Sequence, residues 1–104
     1  MRKANVNNFG IPAGELIEIE PGNKYKFIYF DEYIGPPISL TMPVNKKEFT
    51  FEGFPPFFDG LLPEGVQLEA LIRQRKIDRN DLFAQLVQVG KDLVGSVTVE
   101  EVTQ

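Results

Sequence analysis

The chain has 104 residues, of which 42% are hydrophobic and 25% charged, a composition typical of one globular domain. Cysteine and histidine are absent, which excludes Cys/His zinc sites, thiol nucleophiles and Ser-His-Asp triads. The net charge of -4 argues against direct nucleic-acid binding, and neither a signal-peptide core nor an apolar run of membrane-spanning length is present in the sequence. We therefore expect one cytoplasmic domain over residues 1–104.

The first half of the chain alternates apolar and polar residues with the two-residue period of β-strands. Ile17 and Ile19 point one way between Glu18 and Glu20, for example, and Pro21 then begins a turn. The predicted antiparallel strands cover residues 15–20, 24–30, 38–42 and 48–52, with a weaker fifth near 5–9.

The second half carries helical spacing. Leu68, Leu71 and Ile72 recur at i, i+3 and i+4, and a second helix is predicted to follow them. The apolar residues of that second helix are Leu82, Phe83, Leu86 and Val89.

The ends of the second helix are marked by residues that commonly cap helices. Asn80 or Asp78 is expected to accept from its first-turn amides, and Gly90 to form a left-handed C-terminal cap. Alternation over residues 93–99 predicts a returning strand. Together these elements predict an α+β fold: one small domain with an antiparallel, partly barrel-like sheet and two to three helices in the C-terminal half.

Carboxylates are the only general acid or base candidates, and no pair of them is predicted to converge on a cleft. Asp78 and Asp81 are better explained as helix caps than as catalytic or metal-binding groups. A cluster of cations at the end of the first helix is explained by the helix dipole: Arg73, Arg75, Lys76 and Arg79. Phosphate-binding glycine loops are absent from the sequence, so we expect no enzyme activity, catalytic residue, cofactor or metal.

Residues 54–65 are too apolar for an ordinary solvated loop, with three Phe and three Pro among them. Phe57, Phe58, Leu61 and Leu62 are expected to fill the core below a short helix interrupted by Pro63. Because loops bounded by proline hold their side chains at low entropic cost, the remainder of the segment is a candidate partner surface.

Four stretches, residues 36–43, 57–65, 81–83 and 90–97, resemble in order and spacing the N-terminal subdomain of HipA-type serine/threonine kinases. The likeness spans about residues 4–99, and the kinase core that follows in that family has no counterpart in this sequence. Two motifs carry it, Phe-Phe-Asp-x-Leu-Leu-Pro and Gly-x-Asp-x-Val-Gly, and their key residues are Phe57, Phe58, Asp59, Leu61, Leu62, Pro63, Asp92 and Gly95.

A free-standing subdomain of this kind is similar to the HipS family, the small antitoxins of tripartite HipB-HipS-HipT systems. The resemblance implies a bacterial antitoxin that binds and neutralises a HipT-like serine/threonine kinase toxin, while a HipB-like helix-turn-helix protein binds DNA within a ternary complex. We expect the contact with the kinase to involve a helix start and the loop before it: Glu64, Gly65, Val66, Gln67 and Glu69.

Three alternatives stay open. Val66 could pack in the core instead of facing a partner. The chain could be the regulatory or activating N-terminal half of a split kinase, in which case it would raise phosphorylation instead of lowering it. It could also be a fragment of a full-length HipA-type kinase, although Met1 and the polar tail at 100–104 have the character of natural ends.

Overall fold

A computed structural model describes residues 1–93 and 95–102. Within those residues the chain forms five strands, three α-helices and one short 3₁₀ helix. In chain order they are β1 (Lys3–Asn8), β2 (Ile11–Glu20), β3 (Lys24–Tyr29), the 3₁₀ helix (Val44–Lys46), β4 (Glu48–Glu52), α1 (Pro56–Asp59), α2 (Gly65–Arg75), α3 (Leu82–Val89) and β5 (Val97–Glu101). The predicted α+β class, with helices in the C-terminal half, is confirmed.

The strands form one antiparallel sheet in the order β4-β3-β2-β1-β5. One row of buried residues crosses four of the strands, because Ala4 lies opposite Leu16, Leu16 opposite Phe27, and Phe27 opposite Phe49. Among the described strands β4 and β5 are the two edges of this sheet.

The hydrophobic core lies on one face of this sheet. Alternate residues of β3 are buried, and helix residues Phe58, Phe83 and Leu86 belong to the same buried cluster. Phe58 meets Phe27 of β3 with ring centroids 5.9 Å apart, so α1 covers the middle of the sheet. The remaining face is more exposed and mixes charged and amide side chains with the partly exposed Ile17, Ile19 and Ile28.

The predicted strand over 38–42 is wrong. These residues form bends and turns in which Ile38 and Met42 are buried and Leu40 is 96% exposed. The hydroxyl of Tyr29 accepts from the Ile38 amide at 3.0 Å and donates to the Met42 carbonyl at 2.6 Å. The alternation of apolar and polar residues over 38–42 therefore reflects a loop folded around the buried Tyr29 hydroxyl. Hydrogen bonds to this hydroxyl take the place of those to a neighbouring strand.

Of the residues expected to cap α3, Asp81 and not Asn80 or Asp78 fills the N-cap, and the C-terminal end differs from the prediction. Asp81 is the N-cap, accepting from the Ala84 amide at 3.0 Å, whereas Asp78 accepts from the Asn80 amide in the preceding turn. Gly90 has φ -57, so it is right-handed and not the expected left-handed cap. Its backbone instead passes close to Val99 of β5, a contact that leaves no room for a side chain.

The weak strand near 5–9 is in fact β1, which lies between β2 and β5 in the sheet. The returning strand exists as β5 but begins at Val97, because residues 90–93 and 95–96 connect α3 to it without strand pairing. Val94, part of that prediction, lies outside the described residues, as do Thr103 and Gln104 of the polar tail.

Candidate protein-interaction site

The segment from α1 to the start of α2 passes from the core to the surface within a few residues. Pro55 and Phe58 are fully buried, and the ring of Phe57 packs edge-on against Phe58 at 5.2 Å between centroids. Leu61 and Leu62 are half-buried and pack against the core, as predicted. This apolar base anchors the chain immediately before α2.

The residues expected to contact a partner are all exposed at the start of α2 or just before it: Glu64, Gly65, Val66, Gln67 and Glu69. Val66 is 84% exposed, so it does not pack in the core. Gly65 has φ +58, a conformation that glycine adopts without strain and that lets the chain turn sharply into the helix. Val66 is thus one of several exposed aliphatic side chains, which also include Ile34 and Leu40.

A hollow of about 360 Å³ lies beside these residues. It brings together both sequence motifs, because Leu61, Leu62 and Pro63 of the first line it together with Asp92 of the second. The remaining lining residues are Gly60, Gln67, Val89 and Leu93. Its walls are mostly apolar, with Gln67 and Asp92 as polar groups, so it suits an apolar side chain that also needs a hydrogen bond.

The other motif residues do not face this hollow. Phe58 is a core residue, Asp59 is exposed at the end of α1, and Gly95 is an exposed glycine with φ +105 before β5. The two motifs therefore combine structural residues with residues that shape a surface.

An ion pair links α2 to the turn that follows it. Glu69 lies 2.6 Å from Arg79, and the hydrogen bond donated by Arg79 holds the pKa of the Glu69 carboxyl below its usual value. Both side chains are about half exposed, so the pair orients the helix more than it stabilises the fold. Arg73 and Arg75 are exposed in the last turn of α2, in the position where cations complement the helix dipole.

Sequence patterns missed a second polar group, centred on Arg2. Its guanidinium donates to both carboxylate oxygens of Glu18, at 2.7 and 2.8 Å, and to both of Asp81, at 3.0 and 2.9 Å. The Arg2 hydrogen bond is the main reason why the pKa of Asp81 is lowered. Tyr25 donates to Glu18, and burial raises the pKa of that tyrosine hydroxyl. Since the partners are 16 and 79 residues from Arg2, no local pattern could have indicated them.

Residues 4–100 match the family model of the HipA N-terminal domain. The chain belongs to this family. The HipA N-terminal domain of a solved toxin structure superposes with a TM-score of 0.78 at 27% identity, covering 100% of this chain and 95% of that one.

Two relatives of this HipA N-terminal domain protein differ in length. An uncharacterized protein of Haemophilus influenzae is 31% identical over 104 residues, covering 100% of this chain and 96% of that protein. The "Putative kinase Y4dM" of Sinorhizobium fredii is 29% identical over 104 residues, covering 91% of this chain but only 25% of that protein. The domain thus occurs both in a protein of about this length and as a small part of a longer one.

No helix among residues 1–93 and 95–102 is long and apolar enough to cross a membrane. Within the same ranges, no group of three or more acidic side chains is placed to hold a metal ion.

Proposed function

We propose that this protein is a HipS-like antitoxin that binds a separately encoded HipT-like serine/threonine kinase and neutralises it without being an enzyme itself. The observation that carries the proposal is the match of almost the whole chain to the HipA N-terminal domain, which in the Sinorhizobium relative makes up about a quarter of a protein named as a kinase. A domain that accompanies a kinase within one chain has a surface suited to contact it. In this chain that contact is made between two molecules.

The start of α2 is the proposed contact. Val66 and Gln67 are exposed in the first turn of α2, and Gln67 lines the hollow together with Leu61 and Leu62. Residues that dominate binding cluster in well-packed pockets near the centre of an interface, and the hollow offers such a pocket to a side chain of the kinase. Inhibition then results from α2 entering or closing the kinase's substrate cleft. A HipB-like DNA-binding protein joins the complex in the bacterial cytoplasm.

The test uses Val66→Glu with Gln67→Glu. Acidic residues in the first turn of a helix are favourable, so the double variant is expected to fold as well as the wild type. If these side chains form the centre of the interface, affinity for the kinase falls by about 30-fold or more, the loss expected when about 2 kcal/mol of contact energy is removed. Growth protection falls with it.

The matched control is Ile34→Glu with Thr50→Glu, which also adds two charges at exposed positions and also removes an exposed aliphatic side chain. Thr50 lies opposite Lys26 in the sheet, so its replacement by Glu gains an ion-pair partner. The control is expected to bind and protect like the wild type. Equal protection by both double variants contradicts the assignment of α2, and no complex at all contradicts the antitoxin proposal.

The same assay separates inhibition from activation. The kinase is incubated with ATP, with and without the chain, and phosphorylation is followed over time. A fall in phosphorylation supports the antitoxin, whereas a rise identifies the chain as the activating half of a split kinase.

A further inference from the structure

Helix α2 lies outside the hydrophobic core. Its apolar residues Leu68, Leu71 and Ile72 are only half-buried, and α2 has no buried residue. Among the described residues, neither the core cluster nor the apolar side chains packed against it include one from α2. Core packing therefore contributes little to the orientation of this helix, which depends on how its two ends are attached.

The N-terminal end of α2 is weakly attached. The Glu64 side chain makes no capping hydrogen bond, and the first helical bond, from the Leu68 amide to the Glu64 carbonyl, is 3.4 Å long. A cap of this kind leaves first-turn amides to water, so the turn that carries Val66 and Gln67 opens easily.

The C-terminal end of α2 is firmly attached. Lys76 adopts the left-handed conformation and returns its amide to the Ile72 carbonyl, which also accepts from Ile77. In the next turn the Asp78 side chain accepts from the Asn80 amide at 2.8 Å. The turn over residues 77–81 is thus tightly hydrogen-bonded and continues directly into α3.

Two side chains of the remaining structure hold this turn. Gln85 of α3 is 1% exposed, and its amide nitrogen donates to the carbonyls of Arg79 at 2.9 Å and Asp78 at 3.4 Å. Arg2 binds Asp81 at the end of the turn through two hydrogen bonds and lies 4.9 Å from the ring centre of Phe83. A buried amide directed at two loop carbonyls is costly unless it bonds them, so it strongly favours one conformation of the turn.

We propose that Gln85 and Arg2 are positioning residues of the interface: they hold the turn over 77–81, and through it they set the direction in which α2 presents Val66 and Gln67. The inference rests on the proposed function for what α2 contacts, but the positioning itself is a property of the free chain. Neither residue belongs to the contact proposed at the start of α2.

The test compares Gln85→Met with Gln88→Met in the free protein by hydrogen exchange. Methionine keeps the length and volume of glutamine but removes the two donated bonds, while Gln88 is exposed on the same helix and serves as the control. In Gln85→Met, amides over 68–81 are expected to exchange about tenfold faster, and those of β1, β2 and β3 at the wild-type rate. Gln88→Met is expected to match the wild type throughout.

Binding to the kinase gives the second readout. Gln85→Met is expected to bind about tenfold more weakly than Gln88→Met, because the kinase must first restore the orientation of α2. Arg2→Lys, which keeps the charge but loses the two-pronged contact with Asp81, is expected to show the same pattern and serves if Gln85→Met does not fold. Should neither variant fold, the wild type decides: exchange over 77–81 that is slower than over the hydrogen-bonded middle of α2, residues 69–75, supports the inference, and faster or equal exchange refutes it.

Exchange in Gln85→Met that matches Gln88→Met across α2 overturns the inference, as does unchanged affinity for the kinase. If the wild type binds no kinase, the proposed function fails while the exchange data still decide whether Gln85 and Arg2 position the helix.

Discussion

Gly90→Ala is expected to destabilise the protein strongly, although φ -57 is an ordinary helical angle that alanine adopts readily. A β-carbon at this position would overlap the Val99 carbonyl oxygen and lie 2.8 Å from the Val99 carbonyl carbon. The obstacle is backbone, and it cannot rotate away as a side chain could. The Val99 amide also donates to the Gly90 carbonyl at 2.9 Å, so α3 and β5 are hydrogen-bonded at the point where they would have to separate.

The loss of unfolding free energy in Gly90→Ala can be estimated from two opposing effects. Overpacking in a well-ordered interior costs about 1–3 kcal/mol, and a backbone obstacle places this site at the upper end. Alanine recovers about 0.4–1 kcal/mol through the lower entropy of the unfolded chain. The free energy of unfolding is therefore expected to fall by about 2 kcal/mol, which lowers the melting temperature of a domain of this size by about 8–16 °C.

Gly60→Ala is the matched control. Gly60 is also right-handed, at φ -65, but its nearest neighbour would lie 3.5 Å from the new β-carbon, which is ordinary contact. This variant is expected to be as stable as the wild type or slightly more stable. Urea unfolding of the three proteins measures both effects. If the unfolding free energies of Gly90→Ala and Gly60→Ala differ by less than about 0.5 kcal/mol, the close approach of α3 to β5 is not the reason for glycine at residue 90.

Two further changes test the polar interior. Asp81→Asn is expected to lower the free energy of unfolding at neutral pH. Because Arg2 lowers the pKa of Asp81 in the folded state, this stabilisation is lost when Asp81 is protonated, so the difference between variant and wild type should close as the pH falls below the ordinary Asp pKa of 3.8. A difference in unfolding free energy that stays constant down to pH 2 contradicts this. Tyr29→Phe leaves two buried backbone groups of the loop over 38–42 without their hydrogen-bond partner. It is expected to lower the free energy of unfolding in urea by about 1–3 kcal/mol and to speed hydrogen exchange in that loop. Faster exchange in β3 alone would refute the role of the hydroxyl.

Local sequence patterns were sufficient to predict the elements whose burial repeats with the period of the strand or helix itself. Alternation located β2, β3 and β4, since each packs one side against the core and leaves the other more exposed. Helical spacing and the Pro-rich segment located the helices and the exposed start of α2. The sequence left open whether Val66 packs in the core, whereas the structure exposes it together with the other candidate contact residues.

Tertiary structure decided the features that depend on distant residues. Alternation over 38–42 is the same for a strand and for a loop wrapped around the Tyr29 hydroxyl, so only the position of that tyrosine distinguishes them. The glycine requirement at residue 90 comes from β5, not from a helix cap. Strand β1, weak as a pattern, is stabilised by neighbours on both sides.

The same division applies to the site. The sequence by itself determined an α+β chain of one family with an apolar segment that ends at the surface. The hollow, the isolation of α2 from the core and the hold of Gln85 and Arg2 on the following turn were decided only by folding. The physical reason is that local preferences select elements from neighbouring residues, whereas a pocket or a polar network exists only once residues far apart in the chain are packed together.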